Sequence, residues 1–334
     1  MAIKYCVSLY SLQEDYLLGK RDLEGCIKAV ANDVGCEGVE VLLDQMPLPS
    51  LWENDRVISE KDLDMWFSWM DKYQTVPASY GADIFTTMYS NRKLTKRESI
   101  KMMEKDLRCA AQLGFKVFRT GVIRKEDIEI FEACIPVAEE LGIQIGTEIH
   151  IPRGIKSWWT QDWLEVIQRT GSKYAGFVPD FGIFTVGIHE SARKKYIRAG
   201  AKPEVLNEID AAHKAKAPLT AEDVIKLGGG EADIDALNRL SGTIYDNPEW
   251  LKEILPYTMH IHGKFYEIVD GAEPAIDYEN PLRVLVENNW EGYISSEYEG
   301  QRDYYEQGCD IYIDPVEQCR LHQQMIKNYV ENVK

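Results

Sequence analysis

Short apolar runs alternate along the chain with longer segments whose apolar residues recur every three to four positions, the rhythm of repeated strand–helix units. The run from Lys4 to Leu12 predicts a first strand, and the amphipathic stretch from Asp22 to Val34, stopped near Gly35, predicts a helix. A second strand is expected over Gly38 to Leu43, ending in Asp44 and Gln45. The helix after it carries Leu63, Trp66, Phe67 and Met70 on one face. The third strand is placed at Val76 to Phe85. Thr95 with Glu98 three residues on is a capping-box pattern that opens the next helix, and Gly114 closes it after Leu113. The fourth strand, Lys116 to Val122, carries Arg119 and leads into a helix from Lys125 to Leu141 that ends at Gly142. Strand five covers Ile143 to Ile151 and is followed by a Trp-rich helix over Trp158 to Thr170. Strands six, seven and eight are read at Tyr174 to Asp180, Met259 to Phe265 and Gly292 to Glu297, and a last helix at Pro315 to Val330.

Eight strands alternating with helices, all parallel, close naturally into an α/β (β/α)8 TIM barrel. An open doubly wound sheet fits less well, because no Gly-rich dinucleotide fingerprint follows the first strand. One segment breaks the rhythm. Residues 187–256 are mostly polar and helix-prone, with turn signals at Pro203, Pro218 and Gly228 to Gly230. The stretch is too long for an ordinary loop. It is read as a helical insertion between strands six and seven, on the rim where this fold carries its functional loops, within one TIM-barrel domain spanning 1–334.

Composition narrows the function. A chain of 334 residues with 45% hydrophobic residues can bury a large core without disulfides. The seven cysteines include no Cys-x-x-Cys pair and read as buried free thiols. No apolar stretch approaches the length of a membrane span. Met1 to Tyr5 lack the regions of a signal peptide, so a cytoplasmic protein is expected. The net charge of −17 opposes a nucleic-acid partner, which would demand a basic surface.

Candidate chemistry gathers at four strand ends. Glu148 and His150 end strand five, Asp180 ends strand six, His260, His262 and Lys264 lie on strand seven, and Glu297 and Glu299 end strand eight. Alternation puts each of these sets on one face of its strand. A lone Glu at a strand end is usually a solvated loop residue. The same residue types at the same end of four successive strands mark the place where barrel active sites lie. Three carboxylates with one imidazole suit Mn²⁺, Mg²⁺ or Co²⁺, with Zn²⁺ also compatible. Arg119, flanked by apolar residues, is expected either to pair with a rim carboxylate or to bind a substrate oxygen. Trp158 and Trp159 are read either as a sugar-stacking platform or as core packing. His189, His213 and His322 are read as structural.

These motifs resemble those of the xylose isomerase-like TIM-barrel superfamily, over most of the chain from Lys4 to about Asn332. The resemblance implies a divalent metal held by Glu148, Asp180, His262 and Glu297. The chain departs from the superfamily's epimerases: Ile183 stands where they carry a His, Lys264 where they carry an Arg shortly after the His-x-His pair, and an insertion follows strand six. Four runs look like those of one subgroup, the α subunits of bacterial C-glycoside deglycosidases: Gly146–Pro152 (GTEIHIP), Pro179–Phe184 (PDFGIF), His260–Lys264 (HIHGK) and Ser296–Gly300 (SEYEG). That resemblance implies an Mn²⁺-type ion, a small β subunit in a hetero-oligomer, and a 3-keto C-glycosyl flavonoid as substrate. The matching chemistry is a carbon–carbon lyase reaction. His150 is the expected base, Lys264 and His260 are expected to supply an acid or orient substrate, and Arg119, Glu299 and Trp158 are expected to contact the sugar. The alternative is a divalent-metal sugar isomerase or epimerase.

Overall fold

The computed structural model of the chain describes residues 3–45, 57–83, 91–121, 124–305 and 309–333. Phe85 and Val122, the expected last residues of strands three and four, lie outside these.

Eight parallel strands run β1 (Ile3–Ser8), β2 (Gly38–Leu42), β3 (Val76–Gly81), β4 (Val117–Gly121), β5 (Gln144–Ile149), β6 (Ala175–Pro179), β7 (Ile261–Phe265) and β8 (Gly292–Tyr298). The hydrogen-bonded order is β6-β5-β4-β3-β2-β1-β8-β7. Single parallel bridges, Phe177 with Thr258 and Asp180 with His262, bring β6 to β7, and the Met259 amide donates to the Phe177 carbonyl at 3.0 Å. The sheet is therefore a TIM barrel closed at the β6–β7 seam. Gly176 permits that seam, because a Cβ there would overlap the Tyr257 carbonyl oxygen.

Local chemistry sets the element ends. β1 stops at Ser8, four residues short of the predicted run, because the chain curls into a 3₁₀ turn over Leu9–Leu12. There the Ser11 hydroxyl donates to the Ser296 carbonyl and accepts from the Tyr298 amide, tying the turn to β8. Thr95 and Glu98 form the anticipated capping box at the start of the helix Lys96–Gln112. Outside the barrel, the buried indoles of Trp66 and Trp163 donate to the carbonyls of Leu113 and Gly176, both at 2.9 Å. The first bond ties the helix Glu60–Tyr73 to the end of the helix Lys96–Gln112, and the second fixes the helix Trp158–Thr170 on β6. One helix was not anticipated, Glu279–Glu287 between β7 and β8. Its Val284 and Val286 obscure a helical pattern, and Pro281 sits in its first turn, where a missing N–H costs little.

Between β6 and β7 the chain forms helices over Glu190–Arg198, Pro203–Lys214, Ala221–Lys226 and Glu231–Ser241. Val205, Leu206, Ile209, Val224, Leu237 and Leu240 make a small apolar cluster of their own, separate from the barrel core. Buried Asp303, just after β8, ties this unit to the rim. Its carboxylate accepts from Ser191 Oγ at 2.7 Å and from Arg239 Nη1 at 2.5 Å, and its carbonyl accepts from Arg198. No helix among the described residues is long and apolar enough to cross a membrane.

Candidate active site

Parallel pairing brings the strand ends to one level. Glu148 closes β5 beside Val178 of β6, Asp180 bridges to His262 of β7, and Lys264 of β7 pairs with Glu297 of β8. One ligand atom from each of Glu148, Asp180, His262 and Glu297 lies within 4.8 Å of all the others. His262 Nδ1 stands 2.8 Å from Glu148 Oε1 and 3.5 Å from Glu297 Oε1. The other ring nitrogen, Nε2, points away from this quartet and meets Glu40 Oε2 at 3.0 Å.

A cavity of about 380 Å³ opens above the quartet. Its walls include Tyr10, Asp83, Arg119, His150, Lys264 and Glu299, with Glu148 and Glu297 reaching it from the quartet. Lys264 Nζ lies 2.9 Å from Asp180 and 3.5 Å from Glu297, and 3.6 Å from Glu299. Arg119 resolves its alternative in part: Nη1 pairs with Glu148 Oε2 at 3.3 Å while the residue also lines the cavity. His150 is 39% exposed, and its Nε2 stands 4.0 Å from Asp180 Oδ2.

The electrostatics are those of a crowded anionic pocket. Five carboxylates, Glu40, Glu148, Asp180, Glu297 and Glu299, face two permanent cations, Arg119 and Lys264. Burial alone would neutralise each of these groups. For His262 burial opposes the charge, but Glu40, Glu297 and Glu148 outweigh it and hold the imidazole pKa well above its ordinary value. Burial pushes Glu148 up, but Arg119 and His262 pull it well below the usual carboxylate range. Glu297 is pushed up to about 7, by burial first and then by Asp180 and Glu148, against the pull of Lys264 and His262.

The donor set fits a hard divalent cation. Neither Asp180 Oδ2 nor Glu297 Oε2 accepts a well-aligned hydrogen bond, although both are buried and Lys264 is close. A divalent ion would satisfy both oxygens and offset the surplus negative charge. Thiolates are absent from the cluster, which favours oxygen-seeking ions over soft ones.

Two expected site residues lie away from the described cavity wall. His260 is fully buried with Nε2 2.8 Å from Glu40 Oε2, and it is not among the described residues of the cavity wall. Alternation placed it correctly on the inner face, but one pleat deeper than His262. Trp158 is 44% exposed, rests against Trp159 with ring centroids 4.6 Å apart, and is not part of the described cavity wall. Ile183, where epimerases of the superfamily carry a His, is fully buried. Glu40 escaped the sequence reading. Its signal is a lone ionisable residue inside the otherwise apolar strand Gly38–Leu42.

The family model described as "Xylose isomerase-like TIM barrel" matches residues 29–314. The chain belongs to the xylose isomerase-like TIM-barrel family. The chain is similar to the C-glycoside deglycosidase alpha subunit of Arthrobacter globiformis, at 28% identity over 89% of this chain and 85% of the relative. It is also similar to the 3'-dehydrocarminate deglycosidase alpha subunit of a Microbacterium species, at 30% identity over 67% of this chain and 68% of the relative. Among solved structures, the IOLI protein described with a bound zinc atom superposes with a TM-score of 0.60 at 14% identity, covering 99% of both chains. At that identity the likeness concerns the xylose isomerase-like fold alone.

Proposed function

We propose that the chain is the catalytic α subunit of a metal-dependent C-glycoside deglycosidase, acting in the cytoplasm with a small β subunit on 3-keto C-glycosyl flavonoids. The observation that carries this reading is the quartet of Glu148, Asp180, His262 and Glu297 on the floor of a cavity that also presents His150 and Lys264. The relatives named as deglycosidase α subunits support the substrate class and the partner.

A carbon–carbon glycosidic bond has no bridging oxygen for an acid to protonate, so the two-carboxylate route of ordinary glycosidases is closed. A 3-keto group opens another. When bound by the quartet, a divalent ion supplies Lewis-acid polarisation of a sugar carbonyl, with Mn²⁺ the best match and Mg²⁺, Co²⁺ and Zn²⁺ compatible. His150 takes the proton from C2, since it lines the cavity, is 39% exposed and has Nε2 4.0 Å from the quartet's Asp180. The C2–H electron pair passes into the enolate of the 3-keto sugar. That pair then returns, forming the C1=C2 double bond and expelling the aryl carbon with the electrons of the broken C1–aryl bond. The aryl carbon is then protonated to give the free flavonoid. Lys264 donates hydrogen bonds to developing negative charge on the sugar oxygens. Arg119, which lines the cavity, donates to substrate oxygen atoms, and Glu299 accepts from sugar hydroxyls. Glu299 is a poor base by comparison, because burial is outweighed by Lys264 and Arg302, which lower its pKa.

The test is cleavage by the chain purified alone and as a complex with its β subunit. Both are incubated with a 3-keto C-glucosyl flavonoid and, separately, with free ketohexoses. The proposal expects aglycone release by the metal-loaded complex and no ketohexose interconversion. Interconversion of ketohexoses without aglycone release replaces it with a sugar epimerase.

A further inference from the structure

Behind the quartet lies a second cluster, Glu40, His260 and His262, whose ligand atoms also lie within 4.8 Å of one another. All three residues are fully buried, and none of the described cavity wall belongs to Glu40 or His260. Glu40 rises from the middle of β2, paired in register with Ser8 of β1 and Ser79 of β3. Its Oε2 is shared: His262 Nε2 stands at 3.0 Å and His260 Nε2 at 2.8 Å. The two imidazole rings meet edge to face, with an interplanar angle of 85°.

The geometry points to Glu40 as a positioning residue that sets the tautomer and the aim of His262. This inference rests on the quartet being the metal centre. An imidazole has two nitrogens, and a metal takes the one without a proton. A carboxylate against Nε2 keeps the proton there and leaves Nδ1, already aimed at Glu148 and Glu297, free to ligate. The negative charge of Glu40 also raises the basicity of the ring as a ligand. His260 completes the device from behind. It approaches the same Oε2 at 2.8 Å without an aligned hydrogen bond, so it fills the space beside the carboxylate and leaves His262 Nε2 as the hydrogen-bonded partner of Oε2. The ring thus bridges the Glu40 carboxylate at Nε2 and the quartet at Nδ1.

Divalent-metal affinity distinguishes this role from general packing. The full chain is stripped of metal with a chelator and titrated with Mn²⁺ by calorimetry, as wild type, Glu40→Gln and Glu40→Asp. Gln keeps the size of Glu but removes the charge and offers an NH₂ group that favours the opposite tautomer. The expected result is one ion per wild-type chain, binding weakened about 10–100-fold in Glu40→Gln, and partial recovery in Glu40→Asp. Thermal midpoints of the metal-free proteins separate a loss of aim from a loss of fold. Glu40→Gln binding Mn²⁺ within about twofold of wild type overturns the inference. So does a stoichiometry of two ions per chain that falls to one in the variant, because Glu40 is then itself a ligand. Wild type that binds no Mn²⁺ overturns the metal-centre reading instead. Should Glu40→Gln fail to fold, nitrogen NMR of the ¹⁵N-histidine-labelled wild type decides. A metal-loaded His262 that retains its Nε2 proton supports the inference, and one that ligates through Nε2 overturns it.

Discussion

Two histidines of this barrel have identical burial and opposite electrostatics. His262 and His322 are both fully buried. His322, on the last helix (Pro315–Val333), stacks flat on Phe265 with ring centroids 4.0 Å apart. Tyr278 OH donates to the Lys264 carbonyl at 2.7 Å, so it accepts from His322 Nε2 at 2.7 Å, and Nδ1 accepts from Ser296 Oγ at 2.8 Å. This network is neutral, with Gln323 Nε2 donating to Ser296 Oγ at 2.6 Å, and burial alone pulls the His322 pKa down to about 3. His262 sits among Glu40, Glu148 and Glu297, whose charges overcome the same burial and raise its pKa. Burial therefore does not distinguish a structural histidine from a functional one. The distinguishing feature is whether the surrounding polar groups balance without a further ion.

The sharpest way to break the comparison is to remove a quartet oxygen. Asp180→Ala is expected to lose bound metal and to slow aglycone release by roughly 10³–10⁵-fold, from several kcal/mol of lost charge stabilisation. Elemental analysis and turnover on the same sample check both. A smaller effect is expected from His150→Ala, about 10²–10⁴-fold in kcat with metal content unchanged. Near-normal turnover in that variant removes His150 from the base role. On the structural side, His322→Leu removes the donor to Tyr278 OH, which keeps its bond to the Lys264 carbonyl, and the acceptor of Ser296 Oγ. It should cost about 1–3 kcal/mol in urea unfolding while leaving metal content at the wild-type level. The smallest effect is in pH dependence. Below 6.5 the unfolded chain protonates His322, whereas the folded chain resists until about 3. The stability supplied by this neutral ring is complete above 6.5 and is lost as pH falls through that window. His322→Leu should therefore flatten the stability–pH slope by about one proton there. An unchanged slope means that His322 is not held neutral.

The carboxylates of the quartet were legible in the sequence because they fall at the ends of strands that share one direction, whereas the choice of His262 from the His-x-His pair came from the family resemblance. The roles of residues beside the quartet depended on depth as well as on face. His260 has the right alternation and the wrong level, so a two-residue period alone could not separate it from His262. Glu40 was hidden for the opposite reason. It lies in the middle of a strand whose apolar neighbours read as core, and its partners are 220 and 222 positions away along the chain. The helix Glu279–Glu287 was obscured by β-branched residues whose helical state is set by packing against the barrel. The segment between β6 and β7 read as helical from its turn signals, but its attachment through Asp303 is a tertiary contact with no local signature.

The central claim is that the charge surplus around His262 exists to hold one divalent ion. Its most direct test is the metal content of the purified full chain, measured beside Asp180→Ala prepared in the same way. The account predicts about one divalent ion per wild-type chain and none in the variant. A wild-type chain that carries no ion, and takes up none when Mn²⁺ is supplied, would contradict it.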